Sequence, residues 1–446
     1  MTRCAGSMGR AMIQTLDLRG RRPGRAELMT LIPRAQLDIA VAGESAARLI
    51  AEVRADGEQA LRAQAERFDG VRPAAIRIDP SDIAAAVLAL DPAVRSAIEE
   101  SIRRVRLASG AQVPPPAVTA MGPGAEVVQR WEPIERVGLY VPGGKAVYPS
   151  SVIMNVVPAQ VAGVGSVVLA SPAQAAFGGG VHPTILGAAG ILGVEEIYAM
   201  GGAGAIGAFA YGVQTLALDP VDLITGPGNV YVAAAKRLVR GVVGIDAEAG
   251  PTEILIIADA TAQPGLVAAD LVSQAEHDEL AAAVLVTDSP ELVDAVLPEL
   301  AGLATTTSAS ARVIAALEAR QSAIVIVDDI PAAAALSNAY GPEHLELQTA
   351  DPAATLELIT NAGAIFLGPD APVSLGDYLA GSNHVLPTGG QSRFSSGLGA
   401  MTFLRSQQVI RYDRRGLAGV RAGIRAFSDA EQLPAHGDAV DARFRD

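Results

Sequence analysis

The chain has 446 residues, half of them hydrophobic and 18% charged, with a formal net charge of −14. That length suits two to four domains around a large core; no uninterrupted apolar run approaches the ~18 residues needed to span a bilayer, and the acidic balance argues against nucleic acid or an anionic membrane as partner, since both need a basic surface. Cys4 is the only cysteine, which excludes a disulfide framework and a thiolate zinc site.

The amino terminus, "MTRCAGSMGRAMIQTLDLRG", has no apolar core long enough for a secretory signal, so a cytoplasmic protein is expected, with Met12 as an alternative start. Residues 1–30 read as a tail. Residues 44–110 hold two or three amphipathic helices, for example "GESAARLIAEVRADGEQALRAQAERFD". From about 135, "RVGLYVP", "SVVLASP", "EEIYAM", "VDLIT" and "TEILIIAD" alternate with helix-length segments, and the pattern resumes with "AAAVLVTDS", "SAIVIVDD", "HLELQT" and "GAIFLG". Such alternation predicts βα units and parallel sheets. The expected fold is α/β: two tandem Rossmann-like parallel-sheet domains with a helical N-terminal segment and a helical C-terminal tail. The first domain is discontinuous, residues 31–138 and 252–395; the second, residues 139–251, is the nucleotide-binding one. After about 396 the sheet pattern stops, and residues 396–446 read as a helical tail with few core positions of its own.

Two loops are suited to phosphate. "GLYVPGG" ends a strand in a Pro-Gly-Gly turn, and "ITGPGNVYVAAAKRLV" runs from strand through Gly-Pro-Gly-Asn into a helix, where backbone amides form an anion cradle. Each alone is equally an ordinary βα turn. "GAGAIG" at residues 202–207 matches the dinucleotide fingerprint, with Asp222 near the expected ribose-binding position. Alanine-glycine-rich sequence produces this match by chance, however, and Asp222 begins a strand instead of ending one. A nucleotide site built from several strand-end loops is the better expectation.

"GLVAADLVSQAEHD" keeps apolar positions at helical spacing, so Gln274 and His277 emerge on one face near the helix end, after Pro264 at its start. An i, i+3 pair can grip one metal ion; equally, a histidine at a helix end is favoured by the dipole alone. "AYGPEHLELQ" sets Glu343 and His344 in a turn before a strand, where catalytic groups are commonly displayed. "SLGDYLAGSNHVLPTGG" is a polar loop carrying Asp377 and His384, and "AEQLPAH" places Glu431 and His436 in the tail. Four of the five histidines thus lie in short polar motifs, while His182 in "GGGVHPT" reads as helix-entry structure.

Taken in order, "GLYVPGG", "GPGN", "GIDAEAGPTEILIIAD", "SQAEHD", "GPEHLEL", "GDYLAGSNHVLPT" and "SGLGAMTFLRSQ" resemble the histidinol dehydrogenase family of histidine biosynthesis. The resemblance runs from Met12 to the tail and leaves residues 1–11 outside. It implies a homodimer with one Zn2+ per subunit that uses NAD to oxidise L-histidinol to L-histidinaldehyde and then to L-histidine. By motif, the zinc ligands are Gln274, His277, Asp377 and His436, the last reaching the site from the partner subunit by exchange of tails. Glu343 and His344 are the acid-base pair. Thr252 and Glu431 contact substrate, together with Gln274, His277, His344, Asp377 and His436. Tyr140, Asn229 and position 204 contact NAD. The chain departs from the family pattern in two places: Gly204 stands where many members have Gln, leaving that contact absent or to the backbone, and Thr252 stands where many have Ser, which keeps the hydroxyl.

That ligand set has one anion and leaves a divalent site with a net charge of about +1, able to accept an imidazole and an amine and to orient them. Manganese or cobalt can share such ligands. His344 is the natural base for the alcohol proton, its ordinary pKa being near neutrality. Without a usable thiol, the aldehyde must be hydrated, and Glu343 is the base that directs water onto it. Two other readings account for part of the pattern: a zinc and NAD dehydrogenase of another small diol or amino alcohol, and a zinc-binding protein without activity.

Overall fold

The computed structural model describes residues 12–35, 39–143, 147–248 and 250–445; Cys4 and the first eleven residues lie outside them. The chain opens with a short strand β1 (Gln14–Asp17), followed by helices α1 (Arg25–Leu31), α2 (Ile39–Asp56), α3 (Glu58–Phe68), α4 (Pro80–Ala89) and α5 (Pro92–Gly110). A hairpin of β2 (Ala117–Gly122) and β3 (Ala125–Pro133) leads into a first βα series: β4 (Arg136–Tyr140), α6 (Pro149–Ala162), β5 (Ser166–Ser171), α7 (Pro183–Ile191), β6 (Glu196–Ala199), α8 (Gly202–Tyr211), β7 (Leu223–Thr225), α9 (Val230–Val239) and β8 (Gly244–Ile245). The second series is β9 (Glu253–Ala258), α10 (Pro264–Ala275), β10 (Ala282–Thr287), α11 (Pro290–Thr306), α12 (Ser310–Glu318), β11 (Ala323–Ile326), α13 (Ile330–Tyr340), β12 (His344–Gln348), α14 (Pro352–Leu356), β13 (Ala364–Leu367) and α15 (Val373–Tyr378). Strand β14 (Leu404–Tyr412) and helices α16 (Arg414–Ala430) and α17 (Pro434–Asp441) end the chain.

Helix starts follow local chemistry. Asp79, Asp91, Ser289, Asp329 and Asp351 each accept amide hydrogen bonds as N-caps, and a proline occupies the first turn behind each of them. The central strands β9 and β10 are buried along their whole length, as expected of apolar runs covered on both faces.

Two sheets are all parallel: a six-stranded one in the order β1-β11-β10-β9-β12-β13 and a five-stranded one in the order β6-β5-β4-β7-β8. In the second, β4 has β5 on one side and β7 on the other, so the winding reverses there and a crevice opens at the carboxyl ends of β4 and β7. In the first, the same reversal falls between β10 and β12, on either side of β9.

Three expectations need correction. Residues 14–17, taken as tail, form an edge strand on β11; a four-residue strand is too short to show a period. Residues 404–412, taken as part of a helical tail, form β14, antiparallel to β3, in a separate three-stranded sheet with β2. That strand is half exposed and rich in Arg and Gln, so its alternation is faint. Finally, residues 42–105 were placed with the 252–395 segment, but their buried apolar side chains join those of residues 137–243; α2 packs on α8 and α9, α4 on α7 and α5 on α6. The α16 and α17 helices pack on each other, and α16 packs on β14. No helix among the described residues is long and apolar enough to cross a membrane.

Candidate active site

A cavity of about 910 Å3 lies where the carboxyl ends of β4 and β7 meet the amino ends of β9 and β12. Its lining includes Tyr140, Asn229, Thr252, His277, Glu343, His344, Asp377 and His384. The five-stranded sheet therefore follows the switch-point rule, and the six-stranded sheet presents the opposite ends of its strands.

On the five-stranded side, Tyr140 ends β4 almost fully buried, and its hydroxyl accepts the Gly202 amide at 3.1 Å; burial raises its pKa to about 12. The Gly-Pro-Gly-Asn loop crosses the same strand end. Gly226 has φ +111°, and a Cβ there would lie 2.0 Å from the Tyr140 carbonyl oxygen, so no other residue fits. Lys236, 2% exposed, donates to the Gly226 carbonyl at 3.1 Å and pairs with Asp246, whose Oδ2 accepts the Gly226 amide at 2.8 Å. The loop is thereby fixed from both sides. Asn229 caps α9, its Oδ1 accepting from Tyr231 and Val232 at 3.0 and 3.2 Å, which leaves its amide group at the cavity wall.

Gly204 does not line the cavity. It is buried in α8, where Oε1 of Gln64 stands 2.1 Å from the place a Cβ would take. Gln64 itself reaches the wall, held by bonds from Nε2 to the Leu49 carbonyl and to Glu52, both at 3.0 Å. Asp222 precedes β7 and accepts the Arg136 amide at 3.1 Å, at the strand end opposite the cavity, so it has no ribose role.

On the six-stranded side one directed chain of hydrogen bonds orders the polar groups. Gln274 Nε2 donates to Thr252 Oγ1 at 2.8 Å, and the Thr252 hydroxyl donates to Glu343 Oε2 at 2.6 Å, where the Glu253 amide also arrives at 2.9 Å. Since a carboxylate only accepts, the direction is fixed throughout. Two atoms are left over. Gln274 Oε1 is buried with no partner, and Glu343 Oε1 has none among the described residues. Burial pushes the Glu343 carboxyl up to about 7, against the pull of Thr252 and the Glu253 amide.

His344 Nδ1 lies 3.1 Å from the Glu253 carbonyl oxygen and 3.6 Å from Glu343 Oε2. The carbonyl only accepts, so Nδ1 carries the hydrogen and Nε2 keeps its lone pair. Burial lowers the ring's pKa, with Asp377 opposing. His384 is built the same way: Nδ1 donates to the Asp377 carbonyl at 2.9 Å, and Nε2 accepts from Ser151 at 3.2 Å. Sequence reading placed His384 only in a polar loop; its anchoring of the Asp377 backbone, and the roles of Ser151 and Gln64, depend on tertiary contacts that no local motif signals.

The donor set fits a divalent cation in one respect above all: a buried amide oxygen without a partner is costly unless something positive meets it. His277 and Asp377 line the cavity close to Glu343, whose charge both of them influence. No cluster of three His, Cys, Asp or Glu that could hold an ion occurs among the described residues. His436 and Glu431 are exposed on the tail, and neither lines the cavity of its own chain.

Residues 32–444 match the family model described as histidinol dehydrogenase. A histidinol dehydrogenase from Leifsonia xyli subsp. xyli is 66% identical over 434 residues, spanning 97% of this chain and 100% of that protein. One from Nocardia farcinica is 55% identical over 438 residues, spanning 98% of each. The crystal structure of histidinol dehydrogenase from Elizabethkingia anophelis superposes with a TM-score of 0.91 at 32% identity and covers 98% of both chains.

Proposed function

The chain belongs to the histidinol dehydrogenase family, which carries out the NAD-dependent oxidation of L-histidinol to L-histidine in two steps, and we propose that both steps occur in the cavity between its two parallel sheets. The observation that supports this reading is the directed chain Gln274–Thr252–Glu343, because it orders both side chains by their Nε2 and Oε2 atoms and leaves the amide oxygen of Gln274 without a partner, as a ligand to a cation would be.

Gln274, His277 and Asp377, with His436 of the partner subunit, would hold one Zn2+. When bound, the ion supplies a fixed positive charge that orients the substrate's imidazole and amine. NAD, which accepts the hydride, would lie against Tyr140, the Gly-Pro-Gly-Asn loop with Asn229, and the turn at Gly201–Ala203, in the half built on residues 139–251. Gly204 is too deeply packed to take part, and Gln64 occupies that stretch of wall.

In the first oxidation, His344 Nε2 takes the hydroxyl proton of histidinol as hydride leaves carbon. Water then adds to the carbonyl carbon of the aldehyde, Glu343 Oε1 taking a proton from that water while His344 Nε2 returns its proton to the carbonyl oxygen. In the second oxidation His344 Nε2, neutral again, takes a proton from the resulting gem-diol as the second hydride leaves, giving the carboxylic acid. Thr252 keeps Glu343 and Gln274 in register throughout, and the Glu253 carbonyl keeps His344 in the tautomer with Nε2 free. Counting NADH formed per histidinol tests the reading directly: two are expected, and a yield of one would reduce the protein to a simple alcohol dehydrogenase.

The same reading makes the protein a cytoplasmic homodimer, with neither nucleic acid nor membrane as a partner, and gives His436 and Glu431 to the other subunit's site. Subunit complementation checks it. Homodimers of His436→Ala and of His344→Asn should both be inactive, whereas mixing and reassembly should form heterodimers with one complete site. If the tail served its own chain, no heterodimer would hold a complete site and activity would stay absent.

A further inference from the structure

The side of β12 that presents His344 continues two and four residues later through Glu346 and Gln348, and the side of α10 that presents Gln274 runs back one turn to Asp270. Glu346 is 1% exposed. Its Oε1 accepts the amide of Val373, the first residue of α15, at 3.1 Å. Its Oε2 accepts from Gln348 Nε2 at 3.0 Å, and the same Nε2 donates to Asp270 Oδ2 at 3.1 Å. Gln348 Nε2 thus serves both carboxyls and draws Oε2 of Glu346 and Oδ2 of Asp270 onto one donor. Carboxylate oxygens only accept, and one neutral amide shared between two carboxyls out of water does not offset two negative charges, so the pair favours a proton held on one of the two.

No Lys or Arg among the described residues pairs with either carboxyl. The groups that meet them are each other across β12 and α10, the Gln348 amide, the Val373 amide from α15, and His344 two residues up the strand. Burial, and then the neighbouring Asp270, hold the Glu346 carboxyl well above the ordinary carboxylate range; burial raises that of Asp270. Each of the three elements joined here carries part of the site: α10 has Gln274 and leads to His277, β12 has His344, and α15 has Asp377.

We propose that Glu346 and Asp270 are positioning residues whose shared proton clamps α10 and α15 to β12 and so sets Gln274, His277 and Asp377 at the right distance from His344. This rests on reading those three as zinc ligands. Loss of the proton leaves two negative charges facing each other in a buried place, and α10 moves away from β12.

The test measures Zn2+ retention against a chelator as pH rises above neutrality, in wild type, Glu346→Gln and Glu346→Ala, with melting temperature as a check on folding. A glutamine donates to Asp270 without a proton to lose. Wild-type affinity is therefore expected to fall relative to Glu346→Gln as pH rises, by about tenfold, while Glu346→Ala is weaker by about 10- to 100-fold at every pH, the range usual for groups that orient metal ligands. Should Glu346→Ala not fold, Asp270→Asn replaces it; this isosteric variant donates to Glu346 and is expected to follow the pH course of Glu346→Gln. The proposal is overturned if wild type and Glu346→Gln keep the same ratio across pH, or if Glu346→Ala holds zinc as wild type does. Failure of the zinc reading would look different: wild type itself would take up no stoichiometric zinc at any pH.

Discussion

The His344→Asn variant is expected to turn over histidinol about 10²- to 10⁴-fold more slowly than wild type, the range usual for loss of a general base, with its zinc content unchanged. The geometry makes this substitution unusually clean. An asparagine amide can still donate to the Glu253 carbonyl, as His344 Nδ1 does at 3.1 Å, so the strand end keeps its hydrogen bond. What disappears is the lone pair of Nε2. Because burial lowers the pKa of His344, the ring is neutral at neutral pH and ready to accept a proton. Turnover at the wild-type rate with intact zinc would remove His344 from the mechanism.

Glu343→Gln should divide the reaction in two. Glutamine can accept the Thr252 hydroxyl and the Glu253 amide as Glu343 Oε2 does at 2.6 and 2.9 Å, so the ladder to Gln274 survives, but no base remains for the attacking water. Single-turnover measurements should show alcohol oxidation spared more than aldehyde oxidation, with the latter slowed about 10²- to 10⁴-fold. The pH course gives a second sign. The Glu343 carboxyl is raised to about 7 by burial and acts only when ionised, so wild-type aldehyde oxidation should rise as pH increases through that value, and the variant should lose this rise. Added histidinaldehyde oxidised at the wild-type rate would refute the assignment.

Much of the site was legible because the chain is so apolar: Gln274, His277, Glu343, His344 and Asp377 stand out as polar motifs at element ends, and motif order carried them to a family. The glycine turns after β4 and β7 were legible as strand-to-helix punctuation, whereas Tyr140 and Asn229 within them came only from the family resemblance. Gly204 shows the limit of this approach. The cofactor contact there was expected to be absent or left to the backbone, and what stands against Gly204 in the structure is Gln64 on α3, more than a hundred residues away in sequence. The segment "HLELQ" shows another limit. It alternates like a strand with one wet face, yet all five residues are buried, because Asp270 on α10 supplies partners for its polar side. Strands β1 and β14 escaped notice for a simpler reason, being too short or too polar for their alternation to rise above chance.

The meeting of carboxyl ends from one sheet with amino ends from the other separates two jobs in space. Loops after β4 and β7 come from the five-stranded sheet, while Thr252, Glu343 and His344 come from the six-stranded one. Natural variation can then remodel one wall of the pocket by changing the rim around β9 and β12, without disturbing the glycine loops after β4 and β7. Within such a lineage, sequence drift should concentrate on one lip of the cleft and leave the other nearly constant.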